Sequence, residues 1–164
     1  MDHVLKMSFV LIFFLFTWLS QEENHAWDIQ RTLLKGANNS AVHDAALQID
    51  ESERARGRIV IKADEAWAEY RKTLLSNLGL DSTLTAKPGS PIQGTVTVLD
   101  FIVLDDSNTT FPLLYENSTY NITRYLTGPA VIAIVETPHP RLVQFSFIHD
   151  PIRVPAVYEL NPNK

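Results

Sequence analysis

Cysteine is absent from this 164-residue chain. That excludes disulfides, thiolate metal sites and cysteine nucleophiles, so any fold it takes is held by packing alone. Glycine is scarce at six residues, and none of them forms a Gly-rich phosphate loop or a G-x-S-x-G nucleophile elbow. No H-E-x-x-H or related metal-ligand spacing occurs. A basic surplus is missing as well: 14 Lys and Arg stand against 19 Asp and Glu, a net charge of −5. A nucleic-acid binder needs the opposite balance to meet phosphates. There is no long like-charge block, internal repeat or low-complexity tract. Hydrophobic residues make up 45% and charged residues 20%, the balance of a globular chain rather than a disordered one.

What is present first is an apolar N-terminal run. Met7 to Leu19 carries no charge, follows Lys6, and ends before Gln21-Glu22-Glu23. As a helix it is about 20 Å long, short of the ~30 Å hydrocarbon core. Val4 and Leu5 extend it, and Lys6 is able to snorkel. Phe9, Leu11, Phe13, Leu15 and Trp18 are the expected membrane-facing residues, with Trp18 at the interface. Lys6 before the run and two glutamates after it place the rest of the chain outside the cytoplasm. Residues 1–26 therefore read as a membrane anchor or a signal segment. The anchor is preferred. Asn24-His25-Ala26 has a small residue only at its last position, which makes a poor cleavage site. No Pro or Gly interrupts the chain after Leu19 until Gly36. Secretion after cleavage is the alternative.

Residues 27–164 read as one extracytoplasmic α+β domain, with a helical half at 27–80 and a β half at 92–160. Trp27 to Ile49 predicts an amphipathic helix: Leu33, Ala37, Ala41, Ala45 and Ile49 recur every four residues. Ala37, Ala41 and Ala45 are candidate helix-packing residues, because small side chains let another helix or a sheet approach closely. Gly36 and Asn38-Asn39-Ser40 weaken helix propensity and mark a candidate bend, yet the membrane run and this segment are expected to form one long N-terminal helix, an anchor continued as a stalk. Arg58 to Lys62 predicts a short strand. Asp64 is the expected N-cap of a second helix carrying Trp67, Tyr70, Leu74 and Leu78 on one face and stopping at Gly79. Lys87 to Pro91 is a turn-rich linker. The strand signals are Thr95–Val103, Phe111–Tyr115, Tyr120–Tyr125, Ala130–Val135, Leu142–Ile148 and Ile152–Tyr158. Ala130–Val135 is apolar on both faces and so central. Pro155 marks the last strand as an edge. Helices followed by strands predict helices on one face of an antiparallel sheet.

Chemistry-bearing residues are dispersed. His43-Asp44 and His149-Asp150 are adjacent pairs, and adjacent side chains diverge on a helix or a strand. No metal, cofactor or small-molecule ligand is expected. Glu22, Glu23, Asp28, Asp50, Glu51, Glu53, Asp64 and Glu65 read as solvated faces and caps, so the expectation is a non-enzyme. A hydrolase is the distant alternative. Asn38, Asn108, Asn117 and Asn121 each open an N-x-[ST] sequon, which matters only if the source glycosylates. A cysteine-free exported chain fits a Gram-positive bacterial surface better than a eukaryotic secreted domain.

The layout resembles pilin-like proteins, especially the minor pilin-like proteins of tight-adherence (Tad) pilus systems. The likeness lies in Asn38-Asn39-Ser40-Ala41-Val42-His43-Asp44-Ala45-Ala46 after the apolar helix. It continues in Gly57-Arg58-Ile59-Val60-Ile61 before the Trp67 helix, in Gly128-Pro129-Ala130-Val131, and in Pro155-Ala156-Val157-Tyr158-Glu159. The resemblance implies a structural, membrane-anchored subunit of a pilus or secretion apparatus that meets other protein subunits through its N-terminal helix. Pilins also carry a Gly-containing processing site and a Glu near the start of that helix. Here the glutamates follow the run, so the resemblance brings neither a processing step nor a filament contact through that Glu. The rival expectation is an extracytoplasmic binding module using loops such as Asp105–Thr110 or Glu116–Thr119.

Overall fold

A computed structural model describes residues 2–140 and 150–160. Three helices come first: α1 (Asp2–Ala46), α2 (Glu51–Arg54) and α3 (Ala63–Leu78). Five strands follow: β1 (Thr97–Leu104), β2 (Leu113–Asn117), β3 (Ile122–Leu126), β4 (Ala130–Thr137) and β5 (Ile152–Glu159). The class is α+β with antiparallel pairing throughout, as the order of the signals predicts.

The apolar run and the amphipathic segment are one helix of 45 residues, about 67 Å long at 1.5 Å per residue. It passes through Gly36, Asn38, Asn39 and Ser40 without a break, as the expected long helix of membrane run plus stalk requires. Packing overrides the weak local propensity there. Leu34, Ala37, Ala41, Val42, Ala45 and Ala46 are buried against α3, β4 and β5.

β1, β4 and β5 form a sheet in the order β1-β4-β5, with β4 central and buried along nearly its whole length. Its alternate side chains face two different layers. Val131, Ala133 and Val135 join Val154, Ala156 and Ile152 in the core under α1 and α3. Ala130 and Ile132 face the other way, where Leu126, Phe111 and Tyr115 of the β2–β3 hairpin region cover them. On α3, Ala66, Tyr70, Leu74 and Leu78 are buried, and Trp67 and Tyr70 meet Phe101 of β1 at 5.0 Å. Gly79 ends α3 at φ +61, the left-handed cap that glycine takes without steric cost.

Two local expectations are corrected. Arg58–Lys62 is not a strand: only Ile61 forms a bridge, to Ile49. Carboxylates occupy two of its donors instead, Ile59 N–H bonding Asp106 Oδ2 at 2.7 Å and Ile61 N–H bonding Asp105 Oδ2 at 2.8 Å. Asp64 is not the N-cap of α3. The helix starts at Ala63, with Lys62 in the cap position two residues before Asp64; the lysine side chain has no acceptor and makes no cap bond, and Lys62 N–H is tied to Gln48 O just past α1. The expected strand Leu142–Ile148 and His149 lie outside the described residues.

Candidate functional site: the protruding half of α1 and its junction with the head

From Val4 to Trp18 the helix carries apolar side chains on every side, with Lys6 its one charge, and nothing among the described residues covers it. Its large side chains are between 43% exposed at Leu15 and 73% at Met7; Phe9, Leu11, Phe13 and Trp18 fall within that range. A helix apolar all round needs an apolar surrounding, which is a protein core or a bilayer. This is the one helix among the described residues long and apolar enough to cross a membrane. Its few hydroxyls are already satisfied. Ser8 Oγ, Thr17 Oγ1 and Ser20 Oγ donate to the carbonyls of Val4, Phe13 and Phe16, four residues back, at 2.9, 2.8 and 3.0 Å. In hydrocarbon that internal bonding is required, since no water is available to the hydroxyl.

Below the run the helix turns into the head. Trp27 is half-buried, with the Arg31 guanidinium 5.5 Å from its ring. Gln30 Nε2 donates to Pro138 O at 3.2 Å and to Thr137 Oγ1 at 3.5 Å. These bonds lash α1 to the end of β4. Glu23, expected on a solvated face, is 7% exposed, and its Oε1 has no hydrogen-bond partner among the described residues.

Asn38 is the centre of the junction. Its side chain is fully buried. Nδ2 donates to Ala133 O of β4 at 3.2 Å and to Val154 O of β5 at 3.1 Å, while Oδ1 accepts from Tyr70 Oη of α3 at 2.8 Å. One amide thus joins α1, α3 and two strands. Burial raises the Tyr70 phenol above its usual range and keeps it protonated as the donor. A second link runs through Asp44. Thr73 Oγ1 donates to its Oδ2 at 2.7 Å, and His43 Nδ1 lies 3.0 Å from its Oδ1. The Thr73 bond, then the His43 bond, hold the Asp44 carboxyl below the usual carboxylate range. His43 also meets the Tyr158 ring edge-on at 4.6 Å.

The alanine stripe is located by the same packing. Ala37, Ala41 and Ala45 lie inside the chain's own core, where their small size lets α3 and the sheet close on α1. They offer no free surface to a second subunit; the open part of α1 is the apolar half before Trp27. In the Asp105–Thr110 loop only Asp105 is drawn inward, and Asp106, Ser107, Asn108 and Thr110 stay exposed. Asp105 is buried and accepts from Ile61 N–H and Ser107 N–H, both at 2.8 Å. Of the four sequons, Asn38 is locked in the core, whereas Asn121 is exposed at the hairpin tip. No cluster of three or more His, Asp or Glu able to hold a metal ion occurs among the described residues.

One feature had no sequence signal: a groove of about 710 Å³ between β3 and β5, walled on a third side by Lys35 and Asn39 of α1. It depends on where the hairpin docks, and no local pattern specifies that. No protein-family model, no curated protein and no solved structure matches the chain.

Proposed function

We propose that this chain is a non-enzymatic, membrane-anchored structural subunit with its head outside the cytoplasm, of the pilin-like kind found in Tad-type pilus or secretion assemblies. One observation carries the reading. A single unbroken helix supplies both the uncovered apolar half and the central core element of the head. A cleavable targeting piece has no need of such rigid continuity, whereas an anchored subunit uses it to set its head at a fixed distance and angle from the bilayer. Lys6 before the run and Glu22 after it favour the head lying outside. The exposed half of α1, with Phe9, Leu11, Phe13, Leu15 and Trp18, is the surface left for lipid and for other subunits. Packing between such helices in lipid rests on van der Waals fit, since tails and side chains are equally apolar.

The test uses the natural absence of cysteine. The Leu15→Cys variant, expressed in membranes and oxidised, is expected to form a disulfide-linked pair with a copy or with a co-assembled subunit carrying a matching cysteine. N-terminal sequencing should find the run intact in a carbonate-resistant membrane fraction, with the head cleaved only by protease added outside. Release of a protein beginning near Trp27 into the medium would overturn the anchor. An intact anchor with no cross-link at any position from Phe9 to Trp18 would leave it a monomer and remove the subunit role. The second reading, an extracytoplasmic partner-binding module, is favoured by the β3–β5 groove.

A further inference from the structure

β5 is an edge strand: among the described residues it pairs only with β4. β3 is also an edge, paired only with β2. The two run side by side in the same direction and are pinned at both ends. At one end the Arg153 guanidinium sits 5.5 Å from the Tyr120 ring. At the other, Glu159 Oε1 accepts from Thr127 N–H and Gly128 N–H at 2.6 and 2.9 Å. Between the pins the strands share no ladder, and the groove of about 710 Å³ lies there. β3 residues Asn121–Leu126 form one wall, α1 contributes Lys35 and Asn39 to the other, and the β5 segment Pro155–Val157 with Glu159 completes the lining.

The groove has two further properties. Lys35 and Arg124, on opposite walls, are exposed and form no ion pair among the described residues. The carboxylate in the lining, Glu159, is already engaged by Thr127 and Gly128. Free strand edges accept an added strand through main-chain bonds, and side chains alternating to the two walls then decide which strand. Pro155 has no N–H and breaks the row of donors, so the edge offers a short register rather than an open template for aggregation. We infer that the β3–β5 groove receives an extended, acidic segment of a partner protein by strand addition along β5, with Lys35 and Arg124 reading carboxylates on its two faces. The inference concerns the head alone and stands whether or not the helix assembles with other subunits.

The test takes the full-length protein in detergent micelles and titrates the labelled, end-blocked hexapeptide Thr-Val-Glu-Glu-Val-Thr up to millimolar concentration. Its paired glutamates point to opposite walls. The same peptide with two lysines in place of the glutamates is expected to bind about tenfold more weakly or less, and alternate backbone N-methylation to abolish binding. The Lys35→Glu, Arg124→Glu double variant should reverse the preference for glutamate over lysine. Amide exchange along β5 should slow when the acidic peptide is bound. Equal binding of all three peptides, or no binding of the acidic one, overturns the inference without any variant having to fold. Concentration-dependent protection of the β5 amides with no peptide present also overturns it, because a second copy then fills the edge.

Discussion

Asn38 shows how much one side chain decides here. Its amide makes three hydrogen bonds in a site closed to water, to Ala133 O, Val154 O and Tyr70 Oη. A buried carbonyl or hydroxyl left without its partner costs its full desolvation. Asn38→Ala is therefore expected to destabilise the head by about 2–4 kcal/mol, and Tyr70→Phe by about 1 kcal/mol. Urea unfolding in micelles measures both. The double variant should lose less than the sum, since the two share a bond; strict additivity would show that the network is not coupled. Asp44 makes a separate prediction. Its folded pKa is depressed by Thr73 and His43, so its contribution is present above the unfolded carboxylate range and lost as pH falls through the lower, folded value. Thermal melts of wild type should drop steeply below about pH 4, and Asp44→Asn should flatten part of that drop. Identical acid limbs in the two proteins would refute the link.

At the scale of elements, α1 has two jobs divided at Trp27. Before it, the run from Met7 to Trp18 is exposed and uncharged, while the half after it buries one stripe in the head. The Ala37-Ala41-Ala45 spacing was legible in the sequence as a packing face, and what it packs against was not. A four-residue repeat of small side chains specifies close approach but no partner. The partner came from α3 and the sheet, which lie far away along the chain. Ala41→Leu is accordingly expected to overpack the core and cost about 1–3 kcal/mol. The readout is a lowered melting temperature of the head. Unchanged stability combined with lost assembly would instead place that face in a subunit contact. The hairpin β2–β3 is the reverse case. Both strands were readable as weaker strand signals, but their docking over Ala130 and Ile132 was not, and neither was the groove that docking creates.

For the whole molecule, the continuity of α1 couples whatever surrounds the apolar half to the head. A charge in the middle of the run opposes a bilayer setting by about 2.5–3.5 kcal/mol. Phe13→Asp should therefore shift the protein from the carbonate-resistant fraction toward the soluble one, leaving the head's melting unchanged because Phe13 contacts nothing in it. A variant that partitions like wild type would argue against a membrane setting for this half.

The sequence alone determined the class and the order of elements, the central place of β4 and the edge place of β5. The first three follow from hydrophobic period and run length, which act locally along the chain, and the edge place of β5, which holds among the described residues, follows from Pro155. It also determined the uniformly apolar N-terminal half, since sixteen residues from Val4 to Leu19 hold only Lys6 as a charge. Tertiary structure decided the rest: that Asn38 joins four elements, that Asp106 and Asp105 take the Ile59 and Ile61 donors of the expected strand at Arg58–Lys62, and that β3 lies alongside β5. Each of these depends on groups from distant parts of the chain meeting in one place. Local propensities of a few tenths of a kcal/mol cannot specify such meetings, and burial of whole faces overrides them.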